Sequence, residues 1–111
     1  MNRKFPIAAL LLGALSMLPL TAAAQAKAGE IRIAHINGKT GPLEAYAKQS
    51  SVGFTMGLDY ATGGTMMVAG KKLVVIEKDD QGKPDLGKSL LAQAYGDDKV
   101  DIAVGPTSSG V

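Results

Sequence analysis

Apolar residues form one long block near the start of the chain, followed by short runs at regular intervals. The block, Ile7 to Leu20, is interrupted only by Gly13, Ser16 and Pro19. Arg3 and Lys4 precede it, and the small-residue stretch Thr21 to Ala26 follows, with two Ala-x-Ala steps that allow cleavage after Ala24 or after Ala26. Basic start, short apolar core and small-residue exit are the three parts of a secretory signal peptide. A membrane anchor is the competing reading, but a bilayer span needs about 20 apolar residues and this core is shorter. Residues 1–26 are expected to be an export signal and residues 27–111 the mature part.

The later runs alternate in period. Glu30 to Ile36 is β-branched and bounded by Gly29 and Asn37-Gly38, which predicts a strand. After a Gly- and Pro-containing loop to Pro42, the stretch Leu43 to Thr62 has no Pro. Val52, Met56 and Tyr60 recur there four apart, with Leu58 and Ala61 beside them. That spacing predicts a helix with an apolar stripe, stopped by Gly63-Gly64. Gly53 and Gly57 each weaken such a helix by about 1 kcal/mol relative to Ala, so close packing is expected there. Thr65 to Lys72 reads as a connection turning at Gly70-Lys71, and Leu73 to Ile76 as a strand covered on both faces. Asp79 to Lys83 is a polar loop. Pro84 suits a first helical position, with Leu86, Leu90 and Ala94 on one face and Gly96 at the end. Val100 to Val104 is the last strand, and Gly105 to Gly110 its exit loop.

A β-α-β-α-β order predicts an α/β fold with a parallel sheet. Ligands of open parallel sheets bind outside the carboxyl ends of the strands. The segments Asn37–Pro42, Asp79–Lys83 and Gly105–Gly110 are therefore the functional candidates.

Composition narrows the chemistry. The 111 residues are 46% hydrophobic and carry a net charge of +2, with no Cys and 5% aromatics. Removing residues 1–26 leaves ten basic and ten acidic side chains, so the mature part is neutral and nucleic acid is not an expected partner. The absence of Cys excludes disulfides, thiolate metal sites, Cys nucleophiles and a lipid-anchored Cys.

Three patterns invite catalytic readings. Gly82 to Ser89 satisfies the phosphate-loop pattern G-x-x-x-x-G-K-[ST], which works by aiming backbone N–H groups and a Lys at phosphates. Pro84 removes one such donor and Asp85 places negative charge there, so a solvent-facing amphipathic helix is the better reading; a nucleotide-binding α/β enzyme fragment is the alternative. Asp79-Asp80 supplies too few oxygens for a hard cation, which wants about six, and no metal or cofactor is expected. Ser108 and Ser109 lack a G-x-S-x-G context, and His35 is the single His, so no catalytic triad fits within the chain. The hydroxyls of Thr107, Ser108 and Ser109 and nearby N–H groups form a donor cluster, open to both helix capping and anion binding.

The mature part resembles the exported substrate-binding proteins of ABC transporters, in particular the branched-chain amino-acid (leucine/isoleucine/valine) type. The matching stretches are Ile31-Arg-Ile-Ala, Thr40-Gly41-Pro42 with Tyr46, Gly63-Gly64, Leu73-Val-Val-Ile with Asp79-Asp80, Pro84, and Val100 to Gly110. The resemblance implies a type I periplasmic binding fold whose ligand, an amino or organic acid, lies between two lobes, and a membrane permease as partner. It implies that Ser109 holds the ligand carboxylate, that Tyr46 packs on the ligand side chain, and that Thr40, Gly41 and Ser108 line the cleft. It implies a periplasmic binding protein rather than an enzyme. Family members are several times longer, so residues 27–111 are expected to be a partial first lobe, poorly folded and weakly active alone. Aliphatic amino acids and aromatic or other organic acids both remain open as ligands.

Overall fold

The computed structural model describes residues 29–111, so the expected export signal lies outside the described residues. The elements are β1 (Glu30–Asn37), α1 (Glu44–Ala61), β2 (Met67–Val68), β3 (Lys71–Asp79), α2 (Pro84–Gly96) and β4 (Ile102–Val104). They form a mixed α/β unit around a four-stranded sheet of order β2-β3-β1-β4. β1 runs parallel to both β3 and β4, with Ile33 opposite Val75 on one side and Ile102 on the other. All three strands therefore end at one edge of the sheet.

The crossovers from β1 to β3 and from β3 to β4 run in opposite directions across the sheet, and right-handed connections then put their helices on opposite faces. The side chains of β1 show this alternation. Ala34 and Ile36 join Ala94 and Val100 in a buried cluster on the α2 side, flanked by Ile76, Leu90 and Ala103. On the other face the buried His35 stacks on Phe54 of α1 at 4.5 Å between ring centroids, and Asn37 Nδ2 donates to Ser51 Oγ at 2.9 Å. Glu77 accepts from His35 Nδ1 at 2.8 Å, which leaves Nε2 to accept from Asn37 Nδ2 at 3.3 Å. His35 is thus a bonded core residue.

Four details differ from the sequence expectation. The sheet-facing side of α1 is Ala47, Ser51, Phe54 and Leu58, all buried or half-buried, whereas Val52, Met56 and Tyr60 are 60%, 66% and 91% exposed. The polar His35 and Asn37 beneath α1 require a small and partly polar helix face, which the more apolar stripe does not provide. Nothing lies within 4 Å of a Cβ built at Gly53 or Gly57, so the expected close packing is absent among the described residues. β2, unforeseen, pairs antiparallel with β3 through Ala69 and Gly70, both at positive φ as a tight two-residue hairpin turn demands. β3 extends to Asp79, and β4 begins only at Ile102 because Asp101 bonds Arg32 at the sheet's start, its N–H to the Arg32 carbonyl at 2.8 Å and its carboxylate to the Arg32 N–H at 2.8 Å.

The sheet is incompletely covered, as two helices on four strands require. Leu91, Tyr95, Ile102 and Val104 are between 37% and 49% exposed. A groove of about 680 Å³ runs between α2 and the exit of β4.

Candidate functional site

Two of the three loops at the carboxyl edge are joined by specific contacts. Loop 38–43 is clasped to the end of β3 by Asp79. The Thr40 hydroxyl donates to Asp79 Oδ2 at 2.7 Å, and the N–H groups of Thr40 and Gln81 donate to Oδ1 at 3.2 and 3.0 Å. Burial pushes the Asp79 carboxyl up, but the Thr40 hydroxyl and the N–H groups of Gln81, Thr40 and Lys39 outweigh it and hold the group below its ordinary value of 3.8. Gly41 completes the clasp. Its φ is +94°, and a Cβ there would sit 2.7 Å from the Gln81 carbonyl oxygen.

Asp80 works one layer deeper. It is 1% exposed, its N–H donates to the Asn37 carbonyl at 2.9 Å, and its Oδ1 accepts from Gly82 N at 2.7 Å. The Asp79-Asp80 pair therefore organises the loops: one carboxylate binds the loop after β1, the other the turn before α2.

The loop after β4 leaves the sheet at Gly105, whose φ of +129° and contact with the Ile36 carbonyl exclude a side chain. Ser108 closes a local turn. Its hydroxyl accepts from Gly110 N at 3.1 Å and its carbonyl from Val111 N at 3.2 Å. Val111 then lies over Gly87 of α2, next to Asp80. Ser109 is exposed, and neither its hydroxyl nor its N–H bonds another described residue. Ser108 is thus engaged in a turn within its own loop, while the hydroxyl and N–H of Ser109 have no partner among the described residues. Tyr46 stands on the first turn of α1, 65% exposed. Thr40 and Gly41 are brought against Asp79 and Gln81, while no hydrogen bond joins Tyr46, Ser108 or Ser109 to that clasp among the described residues.

Gly82 to Ser89 does not form a phosphate loop. α2 begins at Pro84, so Gly87, Lys88 and Ser89 lie inside the helix, where Gly87 N already donates to the Lys83 carbonyl at 2.9 Å. The Ser89 hydroxyl donates to the Asp85 carbonyl at 2.9 Å, as a helical Ser does in place of binding a cation. Backbone N–H groups committed to the helix cannot cradle a phosphate, and the nucleotide reading falls.

The sheet, parallel except for β2 and with two of its carboxyl-edge loops clasped together, is of the open α/β class in which ligands bind at that edge. The chain belongs to the periplasmic binding protein family, whose profile matches residues 30–111. That family consists of solute-binding proteins, and its name places them in the periplasm. Among solved structures, an ABC-type branched-chain amino acid transporter protein from Rhodopseudomonas palustris is 63% identical with a TM-score of 0.72, covering 73% of this chain and 22% of that one. The branched-chain amino acid substrate-binding protein LivJ of Streptococcus pneumoniae, solved with isoleucine, is 26% identical with a TM-score of 0.67 over 73% of this chain and 23% of that one. A solute-binding protein of R. palustris solved with benzoate shares the fold at 18% identity and a TM-score of 0.65, over 74% of this chain and 22% of that one. No curated protein matches the chain. The chain spans less than a quarter of the length of these solved proteins.

Proposed function

We propose that residues 27–111 form part of the first lobe of an exported protein that captures a small carboxylate for an ABC-transporter permease, with residues 1–26 as the export signal. The observation that carries this reading is the free Ser109 donor pair at the carboxyl end of β4. A hydroxyl and an N–H directed at one carboxylate form charge-assisted bonds, stronger than neutral ones. Ser109 binds the carboxylate, Tyr46 packs on the ligand's side chain, and Thr40, Gly41 and Ser108 shape the wall between them. The reading is of binding without chemistry: the one His is held between Glu77 and Asn37, and no base among the described residues is bonded to Ser109. The relative at 63% identity supports a branched-chain amino acid as the ligand.

Calorimetric titration of the natural full chain with leucine, isoleucine, valine and benzoate tests this. One of the branched-chain amino acids should bind, and Ser109→Ala should weaken it about tenfold, the loss of one charged hydrogen bond, with the melting temperature unchanged. Equal affinity in the Ser109→Ala protein would overturn the assignment. Binding of ATP that Lys88→Ala removes would restore the nucleotide alternative.

A further inference from the structure

Five side-chain atoms are sealed from solvent without a hydrogen-bond partner among the described residues: Arg32 Nε, Asn37 Oδ1, Asp80 Oδ2, Asp98 Oδ2 and Thr107 Oγ1. Arg32 Nε and Asp98 Oδ2 have ionic partners, Glu30 at 3.7 Å and Lys78 at 2.6 Å. Asn37 turns toward α1, where it bonds Ser51. Asp80 and Thr107 are left. Both belong to the carboxyl edge, on two loops between which no hydrogen bond runs among the described residues. One atom is an acceptor and the other a hydroxyl that can donate. A buried carboxyl oxygen without a donor is costly to a fold. Atoms sealed by their surroundings can be reached only by those surroundings or by a trapped water, so chain packed against the outside supplies no partner to either.

The two loops meet at α2. A Cβ built at Gly87 would stand 3.7 Å from Asp80 Cβ and would collide with Val111 Cγ1, so Asp80 and Val111 flank the same glycine. On the β1 side, a Cβ at Gly38 would lie 3.4 Å from Asp80 Oδ1. The loop carrying Thr107 leaves the sheet at Gly105, against the Ile36 carbonyl, and ends with Val111 over Gly87. It therefore spans from β1 to α2, the two elements that enclose Asp80. No bond joins Asp80 to Thr107 directly. Polar groups beyond direct reach of each other are bridged by water, and buried waters take up groups that protein atoms leave unsatisfied.

We propose that one buried water joins Asp80 Oδ2 to the Thr107 hydroxyl and thereby positions Ser109. The water donates to Oδ2 and accepts from the hydroxyl. Ser108 already closes residues 108–111 into one turn, its hydroxyl accepting from Gly110 N and its carbonyl from Val111 N. Holding that turn at Thr107 on one side and at Val111 on the other sets the direction of the Ser109 hydroxyl and N–H. Asp80 and Thr107 are then positioning residues, and the inference rests on the reading of Ser109 as the carboxylate donor.

Calorimetric titration of the natural full chain with leucine, isoleucine and valine, together with its chemical denaturation without ligand, tests this. Thr107→Val keeps the shape and removes the hydroxyl. It should weaken binding of whichever amino acid binds by about fivefold, and Thr107→Ser should restore it. In the Ser109→Ala background Thr107→Val should cause no further loss, because it acts through Ser109. In denaturation, Thr107→Val should lower the midpoint of the wild type and leave that of the Asp80→Asn protein unchanged. A crystal structure of the full chain should show one water within hydrogen-bond distance of both atoms. Wild-type affinity in Thr107→Val, failure of Thr107→Ser to restore binding, or equal Thr107→Val penalties with and without Asp80→Asn would overturn the proposal. So would another group on Asp80 Oδ2 in the crystal. If Asp80→Asn does not fold, the two Thr107 variants and the crystal structure decide. Wild-type affinity in Ser109→Ala defeats the carboxylate reading alone, since the denaturation cycle reads the link between Asp80 and Thr107 without ligand.

Discussion

The contact between Gly41 and Gln81 allows the clasp at the carboxyl edge to be weighed against an internal control. Gly41 and Gly63 both have positive φ, +94° and +60°. Their surroundings differ: a Cβ at Gly41 would lie 2.7 Å from the Gln81 oxygen and 3.3 Å from its carbonyl carbon, whereas a Cβ at Gly63 meets nothing within 4 Å. Gly63→Ala incurs left-handed backbone strain of about 1–2 kcal/mol, partly offset by about 0.4–1 kcal/mol from a less flexible unfolded chain. Its net loss should be about 1 kcal/mol. Gly41→Ala bears at least that strain, its φ lying further outside the left-handed basin, and must also push backbone aside, which side-chain rotation cannot relieve. Separating the loops breaks the two bonds that Thr40 donates to Asp79, from its N–H and its hydroxyl. At roughly 0.5–1.5 kcal/mol each for such partly solvated bonds, the total loss becomes about 2–4 kcal/mol. Chemical denaturation of the natural full chain, wild type against the two variants, measures the gap. Ligand titration should show weaker binding for Gly41→Ala and none of that loss for Gly63→Ala. If the two alanines cost the same within about 0.5 kcal/mol, the loops are not held by this contact and the reasoning fails.

Asp79 makes a pH prediction. Because its folded carboxyl titrates below the ordinary value of 3.8, it contributes stability that is fully present above that value and is lost as pH falls through the lower, folded one. Asp79→Asn should therefore lower the melting temperature at pH 7 and converge with wild type in acid below pH 4; a constant gap across that range refutes the clasp. Ser108→Ala removes the acceptor for Gly110 N and should cost about 1 kcal/mol of stability, whereas Ser109→Ala should leave the melt untouched and reduce only ligand affinity. Ile36→Ala, 6% exposed in the α2-side cluster, should cost about 2–5 kcal/mol in the same denaturation assay; a smaller effect would show that the uncovered groove beside it already loosens that core.

The strands and the start of α2 were legible because their signals are local. A β-branched run between breakers can hardly be anything but a strand, and Pro84 lacks the N–H that a first helical residue does not need. The parallel order followed from alternation, and with it the edge where the loops gather. The face of α1 was not legible, because hydrophobicity marks a buried stripe only when the opposing layer is apolar. Here β1 sends His35 and Asn37 toward the helix, so Ser51 and Phe54 were selected for contact and the stronger apolar stripe was left outside. β2 escaped because Ala69-Gly70 is a weak hairpin signal beside Asn-Gly. At the site, the loops could be named from the chain, but the clasp could not. Thr40 and Asp79 are 39 positions apart, and nothing in either neighbourhood announces the other.

The division of labour at the carboxyl edge bears on how such a lobe binds. Asp79 and Asp80 use their carboxylates on the protein's own N–H and hydroxyl groups, so two of the three loops are ordered before any ligand arrives. Ordering entropy that would otherwise oppose binding is thereby met during folding. Ser109 is the opposite case. Its donors are exposed, and water satisfies them in the unliganded state. Exchanging water for a carboxylate at an open surface gains little, because the net value of a solvated hydrogen bond is small. The same bond becomes strong only when a second surface closes over it and lowers the local dielectric. A prearranged wall with a solvated donor is therefore built to bind weakly while open and tightly when covered, which is the behaviour the proposed two-lobed cleft requires of its first lobe.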